Sequence, residues 1–502
     1  MKQTPSVPPR FRGRLSAVDY PGLGLRVLLG CSVSLVLLGS SALCAPPQNP
    51  PDDKVDSAVR AEMAQEKIPG LALGVYRDGK IVRAQGYGFA NLEWDAPAGP
   101  DTLFQSGSVG KQFAATAIMM LVESGKVGLD DSIRKYFPDA PDSWEPIAVR
   151  NLLTHTSGLA EYESEERTKP GAPFYLHLDV TEDQLYRKIT QLPIEFKPGE
   201  AWAYRNTNYV LLGILIRKVT GEFYGDYLHE KIFAPLGMVQ TRIISEEDIL
   251  RHRAAGYSLD EKGQLKNQEW VSPSFNSTAD GALYFTVLDL EKWDTALYTE
   301  KLLKKSSLDQ MWTPCTLRNG KHPPYGFGWR VDQANGHKLL EHSGAWQGFT
   351  THIARYIDDR LTVVVLTNLD SEHSNPGKIA HQVAALYNPD LSLAAAKPIP
   401  DEEPRVTSLL RSTLADLASA HLNRDSFAPD QREFWTPDRT ERLGEVVKSF
   451  GPLESLDLLK RDDTERESRS YSYRATFRKR LVEINLTLNP SPKITSLELL
   501  PE

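Results

Sequence analysis

Apolar residues recur along this chain in two alternating rhythms, and the places where the rhythm changes mark its elements. Residues 55–65 carry apolar positions at helical spacing, and two strand-like runs, 71–77 and 80–86, flank Asp78-Gly79, a dipeptide that closes two-residue hairpins. Residues 113–124 repeat apolar side chains every three to four positions and stop at Gly125; 209–220 do the same and stop at Gly221. Three strands are predicted in succession at 338–343, 349–356 and 361–367, the last two joined by Asp358-Asp359-Arg360, with a helix over 376–387 to cover them. An early hairpin and a late meander separated by a long helical middle predict an α+β fold. It has one antiparallel sheet flanked by helices, a mostly helical second lobe and a cleft between them.

The pattern breaks at 389–404, where Ala, Pro and acidic residues predict a linker, and resumes beyond it. An amphipathic stretch over 406–421 and a helix starting at Thr436-Pro437 precede four strands at 453–459, 470–477, 481–488 and 494–500. In the third strand Val482, Ile484, Leu486 and Leu488 alternate, so one face is buried. Residues 405–502 therefore read as a small separate α+β domain, cystatin-like or nuclear-transport-factor-like in element order. No chemistry is legible in it, and its protein partner, if it has one, is not specified.

At the other end Arg10, Arg12, Arg14 and Arg26 precede an apolar run, 27–38, and the small residues Gly39, Ser40, Ser41 and Ala42. The run is short for a membrane span, and its flanks predict a secretory signal peptide over 1–45, cut near Cys44 or Ala45. The expected location is periplasmic or extracellular, with membrane attachment only if the segment stays uncleaved. The chain has 502 residues and three cysteines; after cleavage only Cys315 remains, an expected idle or buried thiol. A net charge of −8 gives no electrostatic reason to expect nucleic acid. Neither a GxxxxGK[ST] string nor an HExxH string occurs, and His352, His373 and His381 have no ligand spacing, so neither metal nor cofactor is expected.

Three short strings carry the candidate chemistry. In Ser108-Val109-Gly110-Lys111 a hydroxyl opens the helix through Phe113, at the positive end of its dipole, with a lysine one turn on. A buried lysine of depressed pKa can accept the serine proton; taken alone, Lys111 reads equally well as a solvated helix charge. A second S-x-x-K copy, Ser132 to Lys135, lies in an Asp-rich turn, where a hydroxyl normally caps a helix. Tyr204-Arg205-Asn206 is the only Y-x-N string, and in an extended segment both outer side chains share a face. The phenol can relay a proton to a leaving group, and the amide can hold Lys111 or a substrate carbonyl. The third string is His342-Ser343-Gly344, a polar strand ending in glycine.

With Leu152-Leu153-Thr154-His155-Thr156-Ser157-Gly158-Leu159, Phe196-Lys197-Pro198-Gly199, Pro235-Leu236-Gly237-Met238 and Tyr325-Gly326-Phe327-Gly328-Trp329, these strings make residues 55–388 resemble the serine β-lactamase-related family. That family holds class C β-lactamases, D-alanyl-D-alanine carboxypeptidases, D-aminopeptidases and related esterases. The resemblance implies a β-lactamase/transpeptidase-like fold, with Ser108 as acylated nucleophile, Lys111 and Tyr204 as the proton-transfer pair and Asn206 as positioner. It implies an oxyanion strand of Ser343, Gly344 and Ala345, the Ala345 N–H acting with that of Ser108. His342 stands where penicillin-recognising members carry lysine, either as a catalytic-site residue or as a strand hydrogen-bonder. His155 becomes a turn marker, while Tyr325 and Trp346 line the cleft or belong to the core. The expected function is an exported serine hydrolase forming an acyl-enzyme on a small or peptide ester, amide or β-lactam. The competing expectation is a non-hydrolytic module that binds cell-wall peptides or a protein partner through the same cleft.

Overall fold

The seven-stranded antiparallel sheet is built from two distant parts of the chain, as the early hairpin and late meander predict. The computed structural model describes residues 49–370, 374–432, 434–463 and 468–501. The expected signal segment and His373 lie outside these residues. Helix α1 (Asp52–Glu66) leads into hairpin β1 (Gly70–Arg77) and β2 (Lys80–Asn91). The helical lobe follows, containing α2 (Lys111–Glu123) and α3 (Asn206–Thr220). The chain then returns to the sheet as β3 (Arg330–Ala334), β4 (His337–Trp346), β5 (Phe349–Tyr356) and β6 (Leu361–Thr367), closed by α4 (Pro376–Tyr387). From one edge the order is Ala96–Pro97, β2, β1, β6, β5, β4, β3.

Both faces of this sheet are covered, which is why Leu361–Thr367 and Phe349–Tyr356 are buried at every residue instead of alternating. On one face Leu73, Val75, Val363 and Val365 pack under Val55 of α1 and Ile379 and Val383 of α4. On the other Ile353, Val364 and Leu366 join the aromatic core of the helical lobe, with Phe113, Trp293 and Trp329. Arg355 crosses into that core fully buried, its Nε 2.6 Å from Asp294 Oδ1.

Two local differences from the sequence expectation bear on the site. Helix α3 begins at Asn206, three residues before its apolar repeat, because the Asn206 N–H donates to the distant Glu161 carboxylate at 2.6 Å. Tyr204 and Asn206 are therefore not on one extended segment: Arg205 is the extended N-cap residue and Asn206 opens the helix. Ser108 lies in a 3₁₀ turn, Gly107–Gly110, and α2 proper starts at Lys111.

The described residues form one unit. Its last part is a four-stranded meander, β7 (Leu453–Asp462), β8 (Arg469–Phe477), β9 (Arg480–Leu488) and β10 (Ile494–Pro501), preceded by α5 (Pro404–Ala418) and α6 (Pro437–Ser449). Val482, Ile484, Leu486 and Leu488 point into a core shared with Leu410, Leu414 and Leu417 of α5. The connection from α4 is ordered: the Ile399 N–H donates to Leu458 O at 2.8 Å, and Arg474 donates to Ala396 O at 2.7 Å.

Candidate active site

Pairing of β4 with β3 stops at Glu341–Arg330, so residues 342–346 leave that edge open to the turn carrying Ser108. The approach is set by two glycines. Gly107 has φ of +48°, and a Cβ on it would sit 2.4 Å from Ala345 N; a Cβ on Gly344 would sit 2.1 Å from Ser106 O and 3.0 Å from Ser108 N. Backbone thus meets backbone, and the N–H groups of Ser108 and Ala345 lie on adjoining segments.

Lys111 is fully buried, and its ammonium donates to Ser108 Oγ at 2.8 Å, Asn206 Oδ1 at 2.7 Å and Asp280 O at 2.5 Å. All three donors are used. Burial pulls its pKa down to about 8, against the opposing charges of Asp280, Glu163 and Glu161. The solvated-charge reading of Lys111 is thereby excluded. Burial pushes the Tyr204 phenol well above its ordinary range, with Ser108 beside it pulling the other way. Its hydroxyl oxygen is buried beside Ser108 without a well-aligned hydrogen bond, and its ring lies 5.0 Å from Lys111 Nζ and 4.3 Å from the His155 ring.

Sequence reasoning missed three carboxylates. Glu163 Oε2 accepts from Asn206 Nδ2 at 2.5 Å, and the Tyr162 hydroxyl faces both Glu163 Oε1 at 2.7 Å and Asp280 Oδ2 at 2.9 Å. Burial, then the charges of Asp280 and Glu161, push Glu163 up to about 8. Asp280 Oδ1 is buried with no partner. A small open cavity lies here, with Ser108, Glu163, Asn206, Asp280, Ala345 and Trp346 in its lining. The only sequence signal was the acidic run Glu161-Tyr162-Glu163-Ser164-Glu165-Glu166 just after the Leu-Thr-His-Thr-Ser-Gly-Leu string.

His342 is held as a strand hydrogen-bonder. Its Nδ1 faces the Ser343 carbonyl at 2.6 Å and so carries the proton, leaving Nε2 to accept from the Tyr325 hydroxyl at 2.8 Å. Burial, helped by the Lys111 charge, pulls its pKa down to about 3, so it is neutral. Tyr325 is buried against it, whereas half-buried Trp346 lines the cavity and donates to Asn276 at 2.7 Å. The Ser343 side chain turns away from this cavity and meets His352 Nδ1 at 2.9 Å, so Ser343 belongs to the expected oxyanion strand through its backbone alone. His155 takes the Arg205 N–H on Nδ1 at 3.2 Å, a turn-holding contact. Ser132 accepts the Arg134 N–H at 3.3 Å as a cap, and burial pushes the Cys315 thiol up to about 12. His352 and His381, which have no ligand spacing along the chain, are brought together beside Glu341 by the sheet and α4.

A family model described as Beta-lactamase matches residues 55–388, about two-thirds of the chain. Penicillin-binding protein 4* of Bacillus subtilis (strain 168) is 30% identical over 311 residues, 59% of this chain and 67% of that protein. Among solved structures, the octameric penicillin-binding protein homologue from Pyrococcus abyssi superposes with a TM-score of 0.61 at 26% identity, over 90% of this chain and 98% of that one. The D-amino acid amidase from Ochrobactrum anthropi SV3 gives 0.58 at 25% identity, over 68% of this chain and 100% of that one.

Proposed function

The chain belongs to the beta-lactamase family as a serine hydrolase, and we propose that it is exported and cleaves amides or esters whose acyl part carries a free amino group. In this reading neutral Lys111 takes the Ser108 proton as Oγ attacks the carbonyl carbon. The oxyanion is received by the Ser108 and Ala345 N–H groups, each such donor being worth about 3 kcal/mol. The tetrahedral intermediate collapses, the C–N or C–O bond breaks, and Tyr204 delivers a proton to the leaving group; water then releases the acyl group. Asn206 holds Lys111 in place from the first turn of α3.

One observation carries the substrate choice: the cavity beside Ser108 has carboxylates on its wall, and Asp280 Oδ1 there has no partner. An ammonium group next to the scissile carbonyl satisfies it, with Glu163 as second acceptor. Neutral His342 supports the same choice, since it offers no cation for the carboxylate of a β-lactam. The name of the structural relative from Ochrobactrum anthropi, D-amino acid amidase, supports it too. Export rests on the arginine-flanked apolar run at 27–38.

The test is a hydrolysis panel of D- and L-alanine p-nitroanilides, their N-acetyl forms, and a chromogenic cephalosporin. The free-amine anilides of one enantiomer are expected to exceed their N-acetyl forms in kcat/KM by about a hundredfold, a loss of about 3 kcal/mol for an unpaired buried charge. Equal turnover of the N-acetyl forms would refute the substrate assignment. No turnover of any member, with Ser108 unlabelled by a fluorophosphonate, would favour the non-hydrolytic binding module.

A further inference from the structure

On the face of the sheet opposite the helical lobe, three side chains with metal-ligating atoms converge. Glu341 lies on β4, His352 on β5 and His381 on α4, and one ligand atom from each lies within 4.8 Å of the others. His352 Nε2 is 3.3 Å and His381 Nε2 is 3.2 Å from the same oxygen, Glu341 Oε2. Neither contact is aligned as a hydrogen bond, for Glu341 Oε2 and His352 Nε2 are both buried atoms without a hydrogen-bond partner. His352 is only 4% exposed, so its orphan nitrogen has no water to turn to.

The far nitrogens of both rings are engaged. His352 Nδ1 meets Ser343 Oγ at 2.9 Å, and His381 Nδ1 meets the Tyr356 hydroxyl at 2.7 Å. In the tautomer that donates the ring proton on that side, each Nε2 turns a lone pair toward a carboxylate oxygen. In that tautomer two lone pairs and an anion at such range call for a positive species among them, a metal cation or a proton shared with Glu341. An outer partner on the second ring nitrogen is also the usual support of a metal-bound imidazole.

We propose that Glu341, His352 and His381 bind one divalent transition-metal cation of the zinc type. Two ligands at about 2.1 Å from a tetrahedral zinc stand about 3.4 Å apart, close to both carboxylate–imidazole separations. Two imidazoles and one carboxylate suit zinc better than calcium or magnesium, which take oxygen ligands. The site is built for closure by the helix. Gly377, four residues before His381, stands where a Cβ would come within 3.2 Å of His352 Nδ1. His381 is 43% exposed, which leaves the cation a route in and a fourth position for water. Such an ion ties α4 to β5 and to β4, the strand that carries Gly344 and Ala345 three and four residues beyond Glu341. It is separate from the Ser108 cavity and acts on the fold of the edge strand, not on the acyl transfer.

The untagged chain, stripped with EDTA, reloaded with zinc chloride and freed of excess by gel filtration, is analysed for metal content and thermal unfolding. About one zinc per chain is expected, with a Tm raised above that of the stripped protein. His381→Ala, a change at a half-exposed helix position that also costs the Tyr356 contact, is expected to lower the stripped Tm modestly and to abolish both zinc retention and the zinc-dependent rise. Tyr356→Phe keeps all three ligands and is expected to weaken zinc binding by about 10- to 100-fold. Zinc content in the unsubstituted chain no higher than in His381→Ala would overturn the site, leaving a protonated histidine as the positive species. Full zinc retention by His381→Ala would overturn it equally, by placing the metal elsewhere.

Discussion

Replacing Asp280 by asparagine tests whether Lys111 is the base for Ser108. The lysine is fully buried, and Asp280 heads the charges that hold its pKa up to about 8 against burial. The Tyr162 contact to Asp280 Oδ2 survives in the near-isosteric amide, so the change removes charge with little loss of packing. Taking the carboxylate as about 6 Å from the ammonium, at an effective dielectric of about 20, its attraction is about 3 kcal/mol, or about two pK units. The assay is the second-order rate of Ser108 modification by a neutral fluorophosphonate as a function of pH, with Ser108→Ala as the blank. In the unsubstituted protein the neutral fraction of Lys111 rises about tenfold between pH 7 and pH 9, and so does the rate. Glu163, also pushed up to about 8, ionises over the same range, and its new charge opposes loss of the lysine proton, so the limb is broader than a single titration. In Asp280→Asn the limb moves acidward by about one to two units, and the rate at pH 7 rises severalfold. A limb that stays near 8 or moves upward in the variant refutes Lys111 as the base. So does a limb above pH 10 in the unsubstituted protein, the range where Tyr204 titrates.

Gly344→Ala places a methyl 2.1 Å from Ser106 O and 2.4 Å from Thr351 Oγ1, so the edge strand must retreat from Ser108. Phosphonylation is expected to fall by about 10²- to 10³-fold; a fall of less than about threefold would mean that the Ala345 N–H takes no part. Arg355→Met leaves Asp294, 2% exposed, without its charge partner and is expected to cost about 3–5 kcal/mol in urea unfolding. A loss below about 1 kcal/mol would show that Thr362 and the neighbouring core satisfy that carboxylate alone.

What the sequence made legible was local. Ser108 and Lys111 are three residues apart, and one helical turn suffices to bring them together. The hairpin at Asp78-Gly79 and the limits of β5, β6 and α4 follow from short-range pattern in the same way. The start of α3 was not legible, because its first N–H is capped by Glu161, 45 residues away, and no local signal marks it. The carboxylates escaped for a related reason. Glu163 and Asp280 are 117 positions apart and meet only through Tyr162, between the loop before α3 and the loop facing Ser108. The cluster of Glu341, His352 and His381 depends on strand register and on which face α4 covers, neither of which is a spacing. The same distinction decides where the substrate is named. The sequence put that weight on His342, the residue in place of a lysine. In the folded protein its two nitrogens are engaged by Ser343 and Tyr325, and it is neutral. In the proposed reading the acidic lining of the cavity, Asp280 with its unpartnered Oδ1 beside Glu163, weighs more in selectivity than what His342 lacks.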